Sequence, residues 1–309
     1  MSDAVERTGM GRAIDVLREP APDVVREVVQ LIAEGARTDG REAVSEQGRL
    51  LLAGGAREGV RHLLLRAADG TLIGYAQIDG TDPVEAPSAE LLVHPAHRGR
   101  GHGRALAQAL LRETDRRLRV WAHGGGPAAR HLAQVLGMTL FRELRQMRRP
   151  LAGLELDEPR LPEGVTVRTF RPGEDDEAWL AANAAAFAHH PEQGSLTQQD
   201  LDARKAEPWF DPLGFFLAVR EDGRLVGFHW TKVHAGEGLG EVYVLGVDPQ
   251  AQGGGLGKAL TAIGLRHLAS RGLPTAMLYV DADNAPAVKV YEGLGFTTHE
   301  TDLMFRTES

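Results

Sequence analysis

The chain has 309 residues and no cysteine. That absence removes disulfide frameworks, thiolate metal sites and cysteine nucleophiles together, and nothing else in the sequence points to secretion. No apolar run approaches 18 residues, and the stretch from Met1 to Gly11 is polar. The reading therefore expects a cytoplasmic protein with neither membrane span nor signal peptide. Lysine is scarce, four residues beside 31 arginines, a bias we ascribe to genomic base composition. Basic stripes interleaved with aromatics are lacking, and the formal net charge is −8. Those two features argue against a nucleic-acid partner and mildly favour a cationic substrate. Hydrophobic residues at 42% and charged ones at 25% are ordinary for a globular chain and argue against disorder or a coiled coil. At roughly 150 residues per domain the length suggests two domains.

What is present is a duplication. VHPAHRGRGHGRAL runs from Val93 to Leu106, and VDPQAQGGGLGKAL from Val247 to Leu260, about 154 residues later. Upstream of each lies a hairpin signal with an Asp-Gly turn, HLLLRAADGTLIGYAQI (His62 to Ile78) and FFLAVREDGRLVGFHWT (Phe215 to Thr231). Downstream, each Gly-rich turn opens a stretch of helical spacing, then a short apolar run, then a further helix that closes on Gly137 or Gly295 as a C-terminal cap. Each half thus reads strand, helices, hairpin, strand, Gly-rich turn, helix, strand, helix, strand: an α/β domain on a mixed sheet. Three prolines and three acidic residues between Pro150 and Pro162 suit a linker. The expected organisation is a first domain over 1–150, a linker over 151–162 and a second domain over 163–309.

Glycines at a strand-to-helix junction let backbone N–H groups cradle phosphate. Spacing decides which kind of loop this is. A P-loop fails, because Gly257-Lys258 is followed by Ala259 and Gln252 stands where the earlier glycine belongs. A dinucleotide fingerprint fails too, because its third glycine would fall on Lys258 or Leu260, or on Arg104 or Leu106. What remains is Arg98-x-x-Gly101-x-Gly103 and Gln252-x-x-Gly255-x-Gly257, which resembles the acyl-CoA pyrophosphate loop of the GNAT acyltransferase family. The segment Asn284-x-x-Ala287-x-x-x-Tyr291-x-x-x-Gly295-Phe296 is similar to the family's segment on the other side of the cofactor. With two loops in tandem, the resemblance covers about residues 12 to 305 and implies two GNAT acyl-CoA N-acyltransferase domains, with acetyl-CoA as cosubstrate and no metal.

Amide formation from a thioester needs a neutral amine, a held acyl group, oxyanion donors and a proton for the leaving sulfur. In GLGEVYVLGVDP (Gly238 to Pro249), strand alternation places Glu241, Tyr243, Leu245 and Val247 on one face. Glu241 is the candidate base, acting through a water. The resemblance makes Tyr291 the acid for the CoA thiolate. It also assigns acyl-CoA contacts to Leu245, Gly246 and Val247, to Gln252, Gly253, Gly254, Gly255, Leu256, Gly257 and Lys258, and to Asn284, Ala285, Pro286, Ala287, Val288 and Lys289. Matching contacts in the first half fall on Leu91, Leu92 and Val93 and on Gly99, Arg100, Gly101, His102, Gly103 and Arg104. Aligned without gaps, Pro87 stands where Glu241 does and Ala133 where Tyr291 does. Glu90 then faces away from that position. The first domain is accordingly expected to keep a cofactor loop and perform no chemistry.

The strings GFHWTKVH (Gly227 to His234), GEVYVLGVDP and LYVDADNAPAVKVYEGLGF (Leu278 to Phe296) resemble more closely those tandem members of the family that acetylate the cysteinyl amine of a cysteinyl-glucosaminyl-inositol. That likeness implies substrate contacts at Glu46, Glu192, Lys232, Glu241 and Tyr279. Glu46 would take part only if the first domain packs over the second. The reading expects a monomer acting on a small amine. Two alternatives stay open: another small-amine N-acetyltransferase, such as an antibiotic-modifying or polyamine enzyme, and a non-catalytic acetyl-CoA sensor. His94, His97 and His102, and His189-His190, lack metal-ligand spacing and read as loop histidines.

Overall fold

A computed structural model describes residues 6–8, 12–82, 84–155, 158–188 and 191–308. The chain forms two compact units. The first runs to Glu143 and takes in the stretch from Thr301; the second spans Leu144–Glu300. The seven residues up to Pro150, and all described residues of the expected linker, therefore fold with the second unit, while the last strand of the chain closes in the first.

The first unit contains β1 (Glu6–Thr8), β2 (Arg12–Leu17), α1 (Pro22–Asp39), α2 (Glu46–Ala53), β3 (Val60–Arg66), β4 (Leu72–Asp79), β5 (Ser88–Val93), α3 (His102–Glu113), β6 (Arg119–Ala122), α4 (Pro127–Val135) and the start of β7 (Met138–Pro150). Its strands lie in the order β1-β2-β3-β4-β5-β6. The end of a thirteenth strand, β13 (Thr297–Thr307), pairs antiparallel with β6, Leu303 facing Ala122 and Phe305 facing Val120. Among the described residues of this unit, β5 and β6 are the strands that pair in parallel, at Ser88–Arg119 and Ala89–Val120. Val28, Leu31 and Ile32 of α1 and Leu52 of α2 pack on one face against Leu64, Tyr75 and Leu92. Leu106, Ala109 and Leu110 of α3 cover the other against Leu63, Leu65 and Ala76.

The second unit repeats the pattern with β8 (Val165–Thr169), α5 (Asp176–Ala186), α6 (Pro191–Gly194), α7 (Gln198–Lys205), β9 (Phe215–Arg220), β10 (Leu225–His234), β11 (Leu239–Val247), α8 (Leu256–Ser270), β12 (Thr275–Asp281) and α9 (Ala285–Gly293). The order is β7-β12-β11-β10-β9-β8. Leu144–Pro150 of β7 supplies the antiparallel neighbour of β12. In both hairpins the glycine of the Asp-Gly pair takes positive φ, +87° at Gly70 and +83° at Gly223, and the aspartate accepts the backbone N–H two residues on. One face of the second sheet is aromatic. Phe215 stacks on Phe170 and Trp230 at 4.3 and 4.5 Å between centroids, with Trp179 of α5 edge-on to both Phe215 and Trp230. The other face meets Leu265 and Leu268 of α8 and Val288 of α9. Each such buried aliphatic side chain contributes about 1.5–3 kcal/mol, which fixes both faces of β11, the strand that carries the site.

Candidate active site

Strand β11 is irregular in two ways. Against β10 the register runs Gly227–Val247, Phe228–Gly246, His229–Leu245 and Trp230–Val244, then jumps to Thr231–Val242, so Tyr243 is an extra residue, a β-bulge. Against β12 the parallel pairing stops at Val242–Leu278. From Tyr243 onward no strand among the described residues lies beside that backbone edge of β11, which leaves N–H and C=O groups available to an extended ligand.

The bulge overturns the simple alternation expected from sequence. A Cβ on Gly240 would meet Leu268 of α8, whereas one on Gly246 would meet Phe228 and Ala186 on the α5 side. Val242 and Leu245 pack with α8 and α9; Tyr243 and Val244 pack with the aromatic cluster. Glu241 and Tyr243 thus face α5, and Leu245 and Val247 face α8. One inserted residue moves everything beyond it to the opposite face.

The Gly-rich turn follows β11. Gly253 and Gly255 take φ of +85° and +81°, in the left-handed region that side chains disfavour. Gly255 is the N-cap of the 15-residue α8, and no side chain caps that end. The first turn of such a helix presents unclaimed N–H groups and a positive dipole end, which suits pyrophosphate oxygens. Gly99, at +72°, and Gly101, at +80° and likewise the uncapped N-cap of α3, repeat the device. Lys258, Arg100 and Arg104 are exposed at these ends. Not every loop residue is free to meet a ligand. Leu256, Leu92 and Val288 lie in the cores, and the Gln252 side chain donates to the Val247 carbonyl at 3.3 Å.

On the α5 face, Glu241 lies directly across from Lys232 in the β10–β11 register. Both are buried. The Lys232 ammonium sits 4.6 Å from the Trp209 ring centroid and 5.2 Å from that of Tyr243, so the rings hold a desolvated cation. Glu241 Oε2 lies 2.7 Å from His234 Nε2. Tyr279, on β12 two residues beyond Met277, the parallel partner of Glu241, shares that face. It is 42% exposed, and its hydroxyl accepts from Gln146 Nε2 at 2.9 Å. Tyr291 belongs instead to the α9 side, half-buried against the core and edge-on to Phe296 at 5.9 Å. Burial pushes its phenol up to about 12, so it stays protonated throughout the neutral range. The carboxylate and the phenol therefore flank the strand whose edge is open from opposite faces.

The first unit has the splay but not the bulge. Strand β5 pairs with β4 without interruption from Gly74–Val93 to Asp79–Ser88, and it leaves β6 after Ala89. Counted from the Gly74–Val93 and Gly227–Val247 pairs, the counterpart of Glu241 is Ser88, not Pro87, because the gap-free alignment missed the bulged residue. Glu90 then shares the face of Ser88, contrary to the sequence reading. Its carboxylate is fully engaged. Oε1 accepts from Ser45 N at 2.9 Å and lies 2.7 Å from His123 Nε2, and Oε2 accepts from Ser45 Oγ at 3.1 Å. His123 also meets Asp302 at 3.2 Å. Burial opposes charge on this imidazole, but its hydrogen bonds to Asp302 and Glu90 prevail and hold it up at about 10. Ala133, the position matching Tyr291, is buried in a small apolar cluster.

Of the remaining sequence candidates, Glu46 is the first helical residue of α2 in the first unit. The side chain of Glu192, and His189-His190 entirely, lie outside the described residues. Among the described residues no group of three or more His, Asp or Glu side chains is arranged to hold a metal, and no helix is long and apolar enough to cross a membrane. The sequence reading missed His234 and the Glu90–His123–Asp302 cluster. For His234 a signal existed, its period-2 spacing from Lys232 along one strand; for the cluster, drawn from three distant segments, none did.

Comparison with known proteins agrees with this architecture. The acetyltransferase (GNAT) family model matches residues 29–138 and 179–296. The mycothiol acetyltransferase of Streptomyces avermitilis is 75% identical over 308 residues, covering 100% of this chain and 99% of that protein. That of Acidothermus cellulolyticus is 54% identical, covering 92% and 91%. Among solved structures, a GCN5-related N-acetyltransferase from Sphaerobacter thermophilus superposes with a TM-score of 0.67 at 26% identity, over 96% of this chain and 95% of that one. A tandem GNAT protein from the clavulanic acid biosynthesis pathway gives 0.68 at 20% identity, over 95% and 97%, and bears on the fold alone. Two matched domains, two uncapped Gly-rich helix starts and two splayed strands agree: the chain belongs to the acetyltransferase (GNAT) family and carries its domain twice.

Proposed function

We infer that the chain is a mycothiol acetyltransferase. It moves acetyl from acetyl-CoA to the cysteinyl amine of cysteinyl-glucosaminyl-inositol, 1D-myo-inositol 2-(L-cysteinylamino)-2-deoxy-α-D-glucopyranoside, giving mycothiol and CoA. The observation that carries this reading is full-length identity of 75% to a protein of that name. A buried carboxylate, a protonated phenol and an open strand edge in the second unit, all needed for acetyl transfer to an amine, support it independently.

The acetyl-CoA site draws on the open edge of β11 from Leu245 to Val247, on the first turn of α8 for the pyrophosphate, and on the start of α9 from Asn284 to Lys289, where Asn284, Ala285, Pro286 and Lys289 are exposed. Acetyl-CoA supplies an activated acyl group and a leaving thiolate. Glu241 takes a proton from the ammonium form of the amine. An α-amino group titrates near 7.7–8.0, so a modest carboxylate base suffices near neutral pH. Attack comes from the α5 face, where Lys232 and Tyr279 also sit and where sugar and inositol hydroxyls find donors and acceptors. Tyr291, on the other face, donates a hydrogen bond and then the proton to the departing sulfur. Burial makes it a reluctant free acid, so its contribution is concentrated where negative charge grows on the sulfur. The first unit lacks a free base at Ser88 and a phenol at Ala133, and we assign it no turnover; its Gly99–Arg104 loop retains the means to hold acetyl-CoA. Glu46 and Glu192 remain proposed substrate contacts, and the protein is proposed to act as a cytoplasmic monomer.

The test is acetyl-CoA consumption with cysteinyl-glucosaminyl-inositol, the product identified by mass, beside the des-cysteinyl amine and a polyamine. Turnover confined to the cysteinyl compound is expected. Equal turnover of a polyamine would move the assignment to a general small-amine transferase, and binding of acetyl-CoA without turnover of any amine would make the chain a sensor.

A further inference from the structure

We propose that His234 is the proton outlet of Glu241, receiving the proton that the carboxylate takes from the substrate ammonium and passing it to solvent. This rests on the reading of Glu241 as the base. That base is buried and must be emptied in every catalytic cycle. Its side chain is only 8% exposed, whereas that of His234, 2.7 Å away, is 21% exposed. The imidazole therefore gives the carboxylate a directly contacting partner that is more open to water than the carboxylate itself.

The two residues lie on adjacent strands at diagonal positions, Lys232 being across from Glu241 and His234 two residues further along β10. Both ends are anchored by sheet pairing rather than by a loop. Imidazole is the side chain whose ordinary titration range lets it both accept and release a proton near neutrality. The step balances. The ammonium loses one proton to the Glu241 carboxylate, the carboxylic acid passes it to the unprotonated Nε2 of a neutral His234 ring, and the imidazolium sheds one proton to solvent, restoring the carboxylate and a neutral ring whose Nε2 is freed by proton exchange with water. Tyr291 gives its proton to the CoA sulfur, and the second amine proton, freed when the tetrahedral adduct collapses, replaces the one that Tyr291 has lost.

The test compares His234→Gln, His234→Ala and Glu241→Gln with the wild-type enzyme, recording kcat, the KM for acetyl-CoA, the melting temperature and the effect of added imidazole. Glutamine retains an N–H donor to Glu241 but cannot relay a proton. His234→Gln is expected to lose at least tenfold in kcat with the acetyl-CoA KM within twofold, and imidazole is expected to restore His234→Ala severalfold in a saturable manner. Wild-type kcat in His234→Gln would reduce His234 to a hydrogen-bonding neighbour and overturn the proposal. So would failure of imidazole to rescue a His234→Ala protein that melts normally; should that variant melt low, His234→Gln alone decides. An unaffected Glu241→Gln enzyme would instead overturn the reading of Glu241 itself, whereas an inactive one beside a fully active His234→Gln would overturn only the relay.

Discussion

At the residue scale, Tyr291 and His123 show burial acting with and against charge. The Tyr291 phenol, pushed up to about 12 by burial, is protonated wherever the enzyme is folded and working. Tyr291→Phe removes that donor while keeping the ring against Phe296. We expect kcat to fall about ten- to a thousandfold, the lower part of the acid–base range, because a CoA thiolate is a tolerable leaving group. Steady-state acetyl-CoA consumption checks this, and a rate within twofold of wild type would remove Tyr291 from the mechanism. His123 is the opposite case, its charge held to about 10 by Asp302 and Glu90 against the pull of burial. A folded-state pKa raised above the unfolded value of about 6.5 stabilises fully below that value and is lost as pH climbs through the folded one. The stability gap between wild type and His123→Gln, measured by urea unfolding, is therefore expected to be widest below about pH 6.5 and to close toward pH 10.

At the element scale, the decisive feature is the uncapped, glycine-led start of α8. Gly255 has φ of +81° and open space around a hypothetical Cβ, so a side chain there is opposed by the backbone and not by a clash. A β-branched residue in that region costs on the order of 1–3 kcal/mol and tilts the first turn away from the phosphate. Gly255→Val is expected to raise the acetyl-CoA KM tenfold or more. Gly101→Val, the same change at α3, is expected to leave that steady-state KM within twofold, since turnover is assigned to the second unit alone. Equal effects from both variants would mean that the first loop serves catalysis.

At the scale of the whole molecule, the chain does not divide where its prolines suggest. Leu144–Pro150 completes the second sheet beside β12, and the end of β13 completes the first beside β6. Leu303, Met304 and Phe305 are buried there, contributing roughly 4–9 kcal/mol together as an upper bound. That is comparable to the net stability of a domain. A fragment ending at Pro150 is therefore expected not to fold cooperatively, although residues 1–143 joined by a flexible linker to 301–309 should. In the full chain, removal of 301–309 is expected to abolish hydrogen-exchange protection at the amides of β6 while those of β10 and β11 keep theirs.

Much of this was legible in the sequence. The repeated Val-x-Pro strand ends, the Asp-Gly turns and the two Gly-rich loops are local signals, because turns, caps and strand-to-helix junctions depend on φ preferences within a few residues. They determined the duplicated mixed-sheet fold, the family, and the nomination of Glu241 and Tyr291. Other features had no local signature. The bulge at Tyr243 decides that Leu245 faces α8, that Ser88 is the counterpart of Glu241, and that Glu90 shares its face. The His234–Glu241 contact and the Glu90–His123–Asp302 cluster join residues whose proximity exists only after the sheets form. Where the last strand closes was likewise beyond the sequence, since the partners of β7 and β13 lie far from them along the chain and only pairing chooses them. Local backbone chemistry determined what kind of molecule this is; register, which is a property of strands together, decided which side chains meet.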